Sequence, residues 1–183
     1  MSILNEHTKE KHVEVENSPY IQHILNRYIT KEQYVRFLQE MYVVYSNLEY
    51  FAELSGILTD LPGIKRAESI LVDLAEFGDG PPKLRMESTE KWRARIVDLY
   101  YSDKSKLLAH VYVRHMGDLY GGKVISKRVP GSGMFYQFED RPTLIKSLNA
   151  KLTMDILPEA LVAFDLAHAV FNDLMEEITN ESK

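Results

Sequence analysis

The chain has 183 residues, 45% hydrophobic and 27% charged, which suits one globular domain with a real core. A net charge of −5 argues against general nucleic-acid binding, and the lack of cysteine rules out disulfides, thiolate metal sites and a cysteine nucleophile. The polar opening MSILNEHTKEKH is no secretory signal, and no apolar run nears the roughly 18 residues of a membrane span. The expectation is an unanchored chain of the cytoplasm or the soluble phase of an organelle.

Nearly every predicted element is a helix. Ser2 is placed to cap a first helix running to about Val15, and Ser18-Pro19 opens a second with proline at its first position. Thr30 and the Lys-Glu-Gln after it form a capping box for a long third helix through Leu54. Its Tyr34, Phe37, Leu38, Met41, Tyr42, Tyr45 and Leu48 recur at three- and four-residue steps. Leu61-Pro62-Gly63 breaks the chain before a helix from Ile64 to Phe77. Ser88 caps a helix to Tyr101, and Asp103 caps the next. After a loop from Val129 to Gly133, Met134 to Phe138 reads as extended. Asp140-Arg141-Pro142 and Leu157-Pro158-Glu159 start the last two helices. The reading is a monomeric, all-α domain of about eight helices over residues 1–183.

The run from Leu107 to Ile125, LLAHVYVRHMGDLYGGKVI, is the most informative. It has the apolar spacing of a buried helix, yet Gly117, Gly121 and Gly122 interrupt it. Each costs ~1 kcal/mol relative to alanine. A helix accepts that cost where a flat or bulky ligand must touch its backbone. A C-cap at Gly121-Gly122 or a close helix crossing explains the glycines equally. Asp118 is the only acid of the stretch.

Among the histidines, His12 shares a face of the first helix with Leu4, Thr8 and Val15, so it is read as pointing into the core. Glu16, one turn on, is placed to orient its ring. Asp165 and His168, three apart on the last helix, would suit a di-iron site only if further acid and histidine ligands faced them. An inward histidine opposite a glycine-lined helix suggests a planar metal macrocycle held between them. Neutral imidazole is a common axial ligand of haem iron.

Two motifs make this specific. Thr8, Lys9, His12, Glu16 and Asn17 match T-K-x-x-H-x-x-x-E-N, and Tyr112, Arg114, Gly117, Asp118, Leu119, Gly121 and Gly122 match Y-x-R-x-x-G-D-L-x-G-G. Together they resemble the heme oxygenase family, and further likeness runs through Phe135 to Phe138, Lys146, Phe164 and Phe171. The resemblance implies an enzyme that opens haem to biliverdin, carbon monoxide and ferrous iron, using dioxygen and electrons from an external donor such as a ferredoxin or a flavin reductase. Haem is then both cofactor and substrate. It implies His12 as the iron ligand with Glu16 behind it, and Gly117, Gly121 and Gly122 of a kinked helix lying over the ring. Asp118 would organise water that delivers protons to bound dioxygen. Thr8, Tyr112, Arg114, Lys146, Phe164 and Phe171 would complete the pocket, with Lys151 or Lys9 helping at the propionates. Asn5 and Ala150 stand where the family commonly has basic residues, and His115 and Tyr120 where it often has tyrosine and a small residue. A haem carrier or gas sensor without turnover would keep His12 and the glycines but would not need Asp118. A di-iron oxidase is the third reading.

Overall fold

A computed structural model describes residues 3–83 and 85–181, among which eight α-helices and no strand occur. They are α1 (Asn5–Glu16), α2 (Pro19–Leu25), α3 (Lys31–Leu54), α4 (Ala67–Glu76), α5 (Glu87–Ser102), α6 (Leu107–Ile125), α7 (Arg141–Lys151) and α8 (Leu157–Glu181). Ser2, expected to cap α1, lies outside the described residues.

Two long helices organise the rest. α3 packs against α4, α5 and α6, while α8 packs against α1, α2, α5 and α6. Tyr34, Leu38, Met41, Tyr45 and Leu48 of α3 are fully buried, as its periodicity requires. Thr30 accepts a hydrogen bond from the Gln33 amide at 3.3 Å, and Gln33 accepts one from the Thr30 amide at 3.1 Å. That capping box is complete, and such a cap contributes roughly 0.5–2 kcal/mol. α6 packs against both α3 and α8.

Four local expectations are corrected, and tertiary contacts explain them. α4 begins at Ala67 instead of Ile64, because the buried Glu49 carboxylate of α3 accepts the Arg66 and Ala67 amides. α5 begins at Glu87, and Ser88 is buried inside it instead of capping it. The Met86 amide there donates to Glu40 of α3 at 3.2 Å. Acids two turns and more along α3 thus do the work of local caps. Asp103 does not cap α6. A 3-10 turn, Lys104–Lys106, intervenes, and Asp103 accepts from the Ser105 hydroxyl at 2.6 Å. Met134–Tyr136 is a 3-10 turn and not extended, since Asp73 draws in the Met134 and Phe135 amides at 2.8 and 2.9 Å.

Candidate active site

A cleft of about 760 Å³ opens between α1 and α6. Asn5, Glu6, Thr8, Lys9, His12 and Val13 form one wall. Tyr112, Val113, Met116, Gly117 and Tyr120 form the other, with Phe164 of α8 between them.

Its walls follow from helix spacing. Leu4 and Thr8 are buried against the neighbouring helices, but His12 stands in the open wall with 48% of its side chain exposed. The reading of His12 as a core residue is therefore corrected. α1 packs chiefly on α8 and leaves the turn carrying His12 facing the cleft. Its Nδ1 lies 3.4 Å from Glu16 Oε1, and its ring meets Phe164 edge-on with centroids 6.1 Å apart. The other ring nitrogen, Nε2, has no hydrogen-bond partner among the described residues. At one end of the cleft the Tyr112 hydroxyl lies 3.1 Å from Thr8 Oγ1 and 3.5 Å from Asn5 Oδ1, tying α6 to α1.

The three glycines separate by role. All lie inside a continuous helix that runs on to Ile125, so Gly121-Gly122 is not a helix end. A Cβ on Gly117 would meet nothing within 4 Å, and this bare backbone faces the cleft. Gly121 is similarly uncrowded, with only Ile125 Cδ1 at 4.0 Å, but is not in the lining. A Cβ on Gly122 would press on Tyr136 at 3.1–3.2 Å, so this glycine serves a close approach to the Met134–Tyr136 turn. Close packing on the Met134–Tyr136 turn therefore accounts for Gly122, while the backbone of Gly117 is left open to the cleft.

Behind the glycine wall lies a buried polar cluster. Asp118 accepts a short hydrogen bond from the Tyr45 hydroxyl of α3. Arg114 donates to the same hydroxyl at 3.2 Å and lies 3.9 Å from Asp118. Burial pushes the Asp118 carboxyl above the usual carboxylate range, while Arg114 and Tyr45 pull it back. Arg141 donates to the Asp118 and Leu119 carbonyls at 3.0 and 2.8 Å, bracing the middle of α6 from α7. His115 contacts Glu49 at 3.0 Å, with its ring edge against Tyr45. Further along, Trp92 Nε1 donates to His110 Nδ1 at 2.9 Å. The His110 proton therefore sits on Nε2, which donates to Glu159.

Not every expected residue reaches the cleft. Arg114 is buried behind it, its guanidinium 5.9 Å from the Phe171 ring. Phe171 stacks on Tyr20 in the core. Lys146 is exposed on α7 and absent from the lining. Lys151 pairs with Asp60 at 2.6 Å. Lys9 is the cation in the wall. Asp165 and His168, weighed for a di-iron centre, contact Lys11 and Glu14 and so fasten α8 to α1. No cluster of three or more His, Asp or Glu suited to a metal occurs among the described residues. Tyr45 was read only as core. Its periodic position marked it as buried but did not set it apart from Tyr20 and Tyr34, whose buried hydroxyls have no hydrogen-bond partner among the described residues.

The comparisons with known proteins agree. A family model described as heme oxygenase matches residues 1–173. The chain belongs to the heme oxygenase family. It is 28% identical over 209 residues to the heme oxygenase of Guillardia theta, covering 93% of this chain and 84% of that protein. The heme oxygenase structure from Leptospira interrogans matches with a TM-score of 0.84 at 28% identity, over 94% of this chain and 100% of that one. Heme oxygenase-1 from the cyanobacterium Synechocystis, solved in complex with heme, shares the fold, with a TM-score of 0.83 at 22% identity over 98% and 95% of the two chains. None of the described helices is long and apolar enough to cross a membrane.

Proposed function

We propose that this chain opens haem to biliverdin, carbon monoxide and ferrous iron, consuming dioxygen and electrons from an external donor, and that haem lies between α1 and α6. The observation that carries this is His12 in the same cleft as the uncovered backbone of Gly117. The cleft suits the group. Val13, Val113, Met116 and Phe164 are apolar walls for the faces of a macrocycle, and Lys9 offers a donor for its carboxylates, beside the Thr8 and Tyr112 hydroxyls that donate to Leu4 and Asn5.

Bound haem supplies the iron at which dioxygen is reduced and the ring that is cut. His12 would hold that iron through Nε2, with Glu16 orienting the imidazole at Nδ1. Gly117 keeps side chains out of this part of the cleft and would leave room for a diatomic ligand beside the haem. Asp118, held by Tyr45 and Arg114, anchors water that moves protons into the cleft. Lys123, Lys127 and Arg128 are exposed just beyond the glycines and fit an acidic ferredoxin or the flavin domain of a reductase.

Haemin added to the protein, then ascorbate in air, tests the assignment. Loss of the Soret band with growth of a bilin spectrum is expected. A persistent Soret band means a carrier or sensor, and no Soret band at all removes haem from the cleft.

A further inference from the structure

Tyr120 is unusual among the cleft residues. It is 62% exposed, and its hydroxyl has no hydrogen-bond partner among the described residues. An aromatic ring left in water gains little from folding, because burial of its surface is what stabilises it. Its neighbours do not confine it. Gly117 lies one turn before, with no atom near its Cβ position, and Gly121 follows directly.

Its position along the helix gives the ring a task. Val113, Met116, Gly117 and Tyr120 recur at three- and four-residue steps on the cleft face of α6. Tyr112 sits at the end where hydrogen bonds to Thr8 and Asn5 tie the two walls together. Tyr120 lies eight residues on, ~12 Å along the axis, on the scale of a tetrapyrrole. It is the outermost residue that α6 contributes to the cleft, and beyond it Lys123 and Val124 face solvent.

We propose that Tyr120 is a retention residue, whose ring packs on the outer edge of the bound macrocycle and slows its escape from the untied end of the cleft. This rests on haem being the occupant. The ring area that the free protein leaves in water is buried only when haem is present. The exposure of Tyr120 leaves its ring room to move aside for entry and exit.

Transfer of haem from the loaded protein to excess apomyoglobin, followed at the Soret band, reads the escape rate directly. Tyr120→Ala is expected to release haem about tenfold faster than the parent, equivalent to ~1.4 kcal/mol. Tyr120→Phe keeps the ring and is expected within twofold of the parent. Release from Tyr120→Ala at the parental rate overturns the proposal. Fast release from both variants overturns it too, by giving the role to the hydroxyl. If the parent takes up no haemin, the haem assignment itself has failed, a result distinct from either.

Discussion

On its core face α6 carries Arg114, His115 and Asp118, all buried and each held by a partner from α3. On its cleft face it carries Val113, Met116, Gly117 and Tyr120, with empty space above Gly117 and a free ring at Tyr120. The core face satisfies its polar groups within the chain, as buried groups must be. The cleft face leaves contacts unmade. A single helix thus combines a buried polar support with a surface left open to the cleft. The glycines show the same division, since a Cβ on Gly122 would press on Tyr136 and one on Gly117 would meet nothing within 4 Å.

The largest effect should come from removing the group opposite α6. His12→Ala should abolish protein ligation of iron, change the ferric spectrum and reduce biliverdin formation to background, with part of it restored by added imidazole. Because His12 is half exposed, stability of the haem-free protein should move by no more than about 0.5 kcal/mol. A parental spectrum and rate would show that α6 faces no iron ligand at residue 12.

Two glycine substitutions then test the division directly. Gly117→Leu places a branched side chain in open cleft, so haem affinity should fall at least ~tenfold, or ~1.4 kcal/mol. The haem-free protein should hold its stability or gain up to ~1 kcal/mol from better helix propensity. Gly122→Ala should do the reverse. Its Cβ would press on the buried Tyr136, and overpacking costs about 1–3 kcal/mol, more than the helix gains. Haem affinity should be kept. Melting temperature and haemin titration of both variants decide it, and a reversed pattern would mean the faces are assigned wrongly.

Asp118→Asn alters the core face while keeping its shape. Haem affinity should stay within a few-fold of the parent, while biliverdin formation slows by roughly 10²-fold, the lower end of what a positioned proton-transfer group contributes. Single-turnover absorbance traces measure both. Unchanged formation would remove the proton role and leave Asp118 as a partner for Arg114 alone.

How much was legible in the sequence depends on the range of the forces. The Thr30 capping box and the Asp140 cap, which accepts the Thr143 amide at 3.1 Å, are set by neighbours three residues away and were readable. The starts of α4 and α5 were not, because their caps are Glu49 and Glu40 of α3, acids 17 and 46 residues distant in sequence. Of the α6 residues in the cleft, Tyr112 and Gly117 were marked by the motif, while Val113 and Met116 were not, and Gly121, Gly122 and Arg114 of the same motif lie outside the lining. Which face of α1 would stay open could not be read, since Leu4, Thr8, His12 and Val15 share a stripe and only packing on α8 decides where it leaves the core. Lys151 looked available until Asp60 was brought beside it by the fold.

The smallest effect is a pH dependence confined to the core face. Glu159 is buried, which opposes its charge, yet hydrogen bonds from His110 and Arg95 prevail and hold its carboxyl down at about 2, against an ordinary 4.5. A depressed carboxyl contributes stability that is present above the unfolded value and lost as pH falls through the folded one. The Glu159 contribution should therefore be whole above pH 4.5 and disappear toward pH 2. Asp118 has the opposite sign. Burial raises its carboxyl, so its protonated form favours folding and the contribution is lost as pH rises through the folded value. Glu159→Gln should accordingly melt below the parent at pH 6, with the gap closing as pH falls from 4.5 toward 2. Asp118→Asn should show no such closing gap over that range. Melting curves of the haem-free proteins across these pH values provide the check. A Glu159→Gln gap that stays constant with pH would mean the carboxylate is no better held in the fold than in the open chain, and that the polar support of α6 ends before His110.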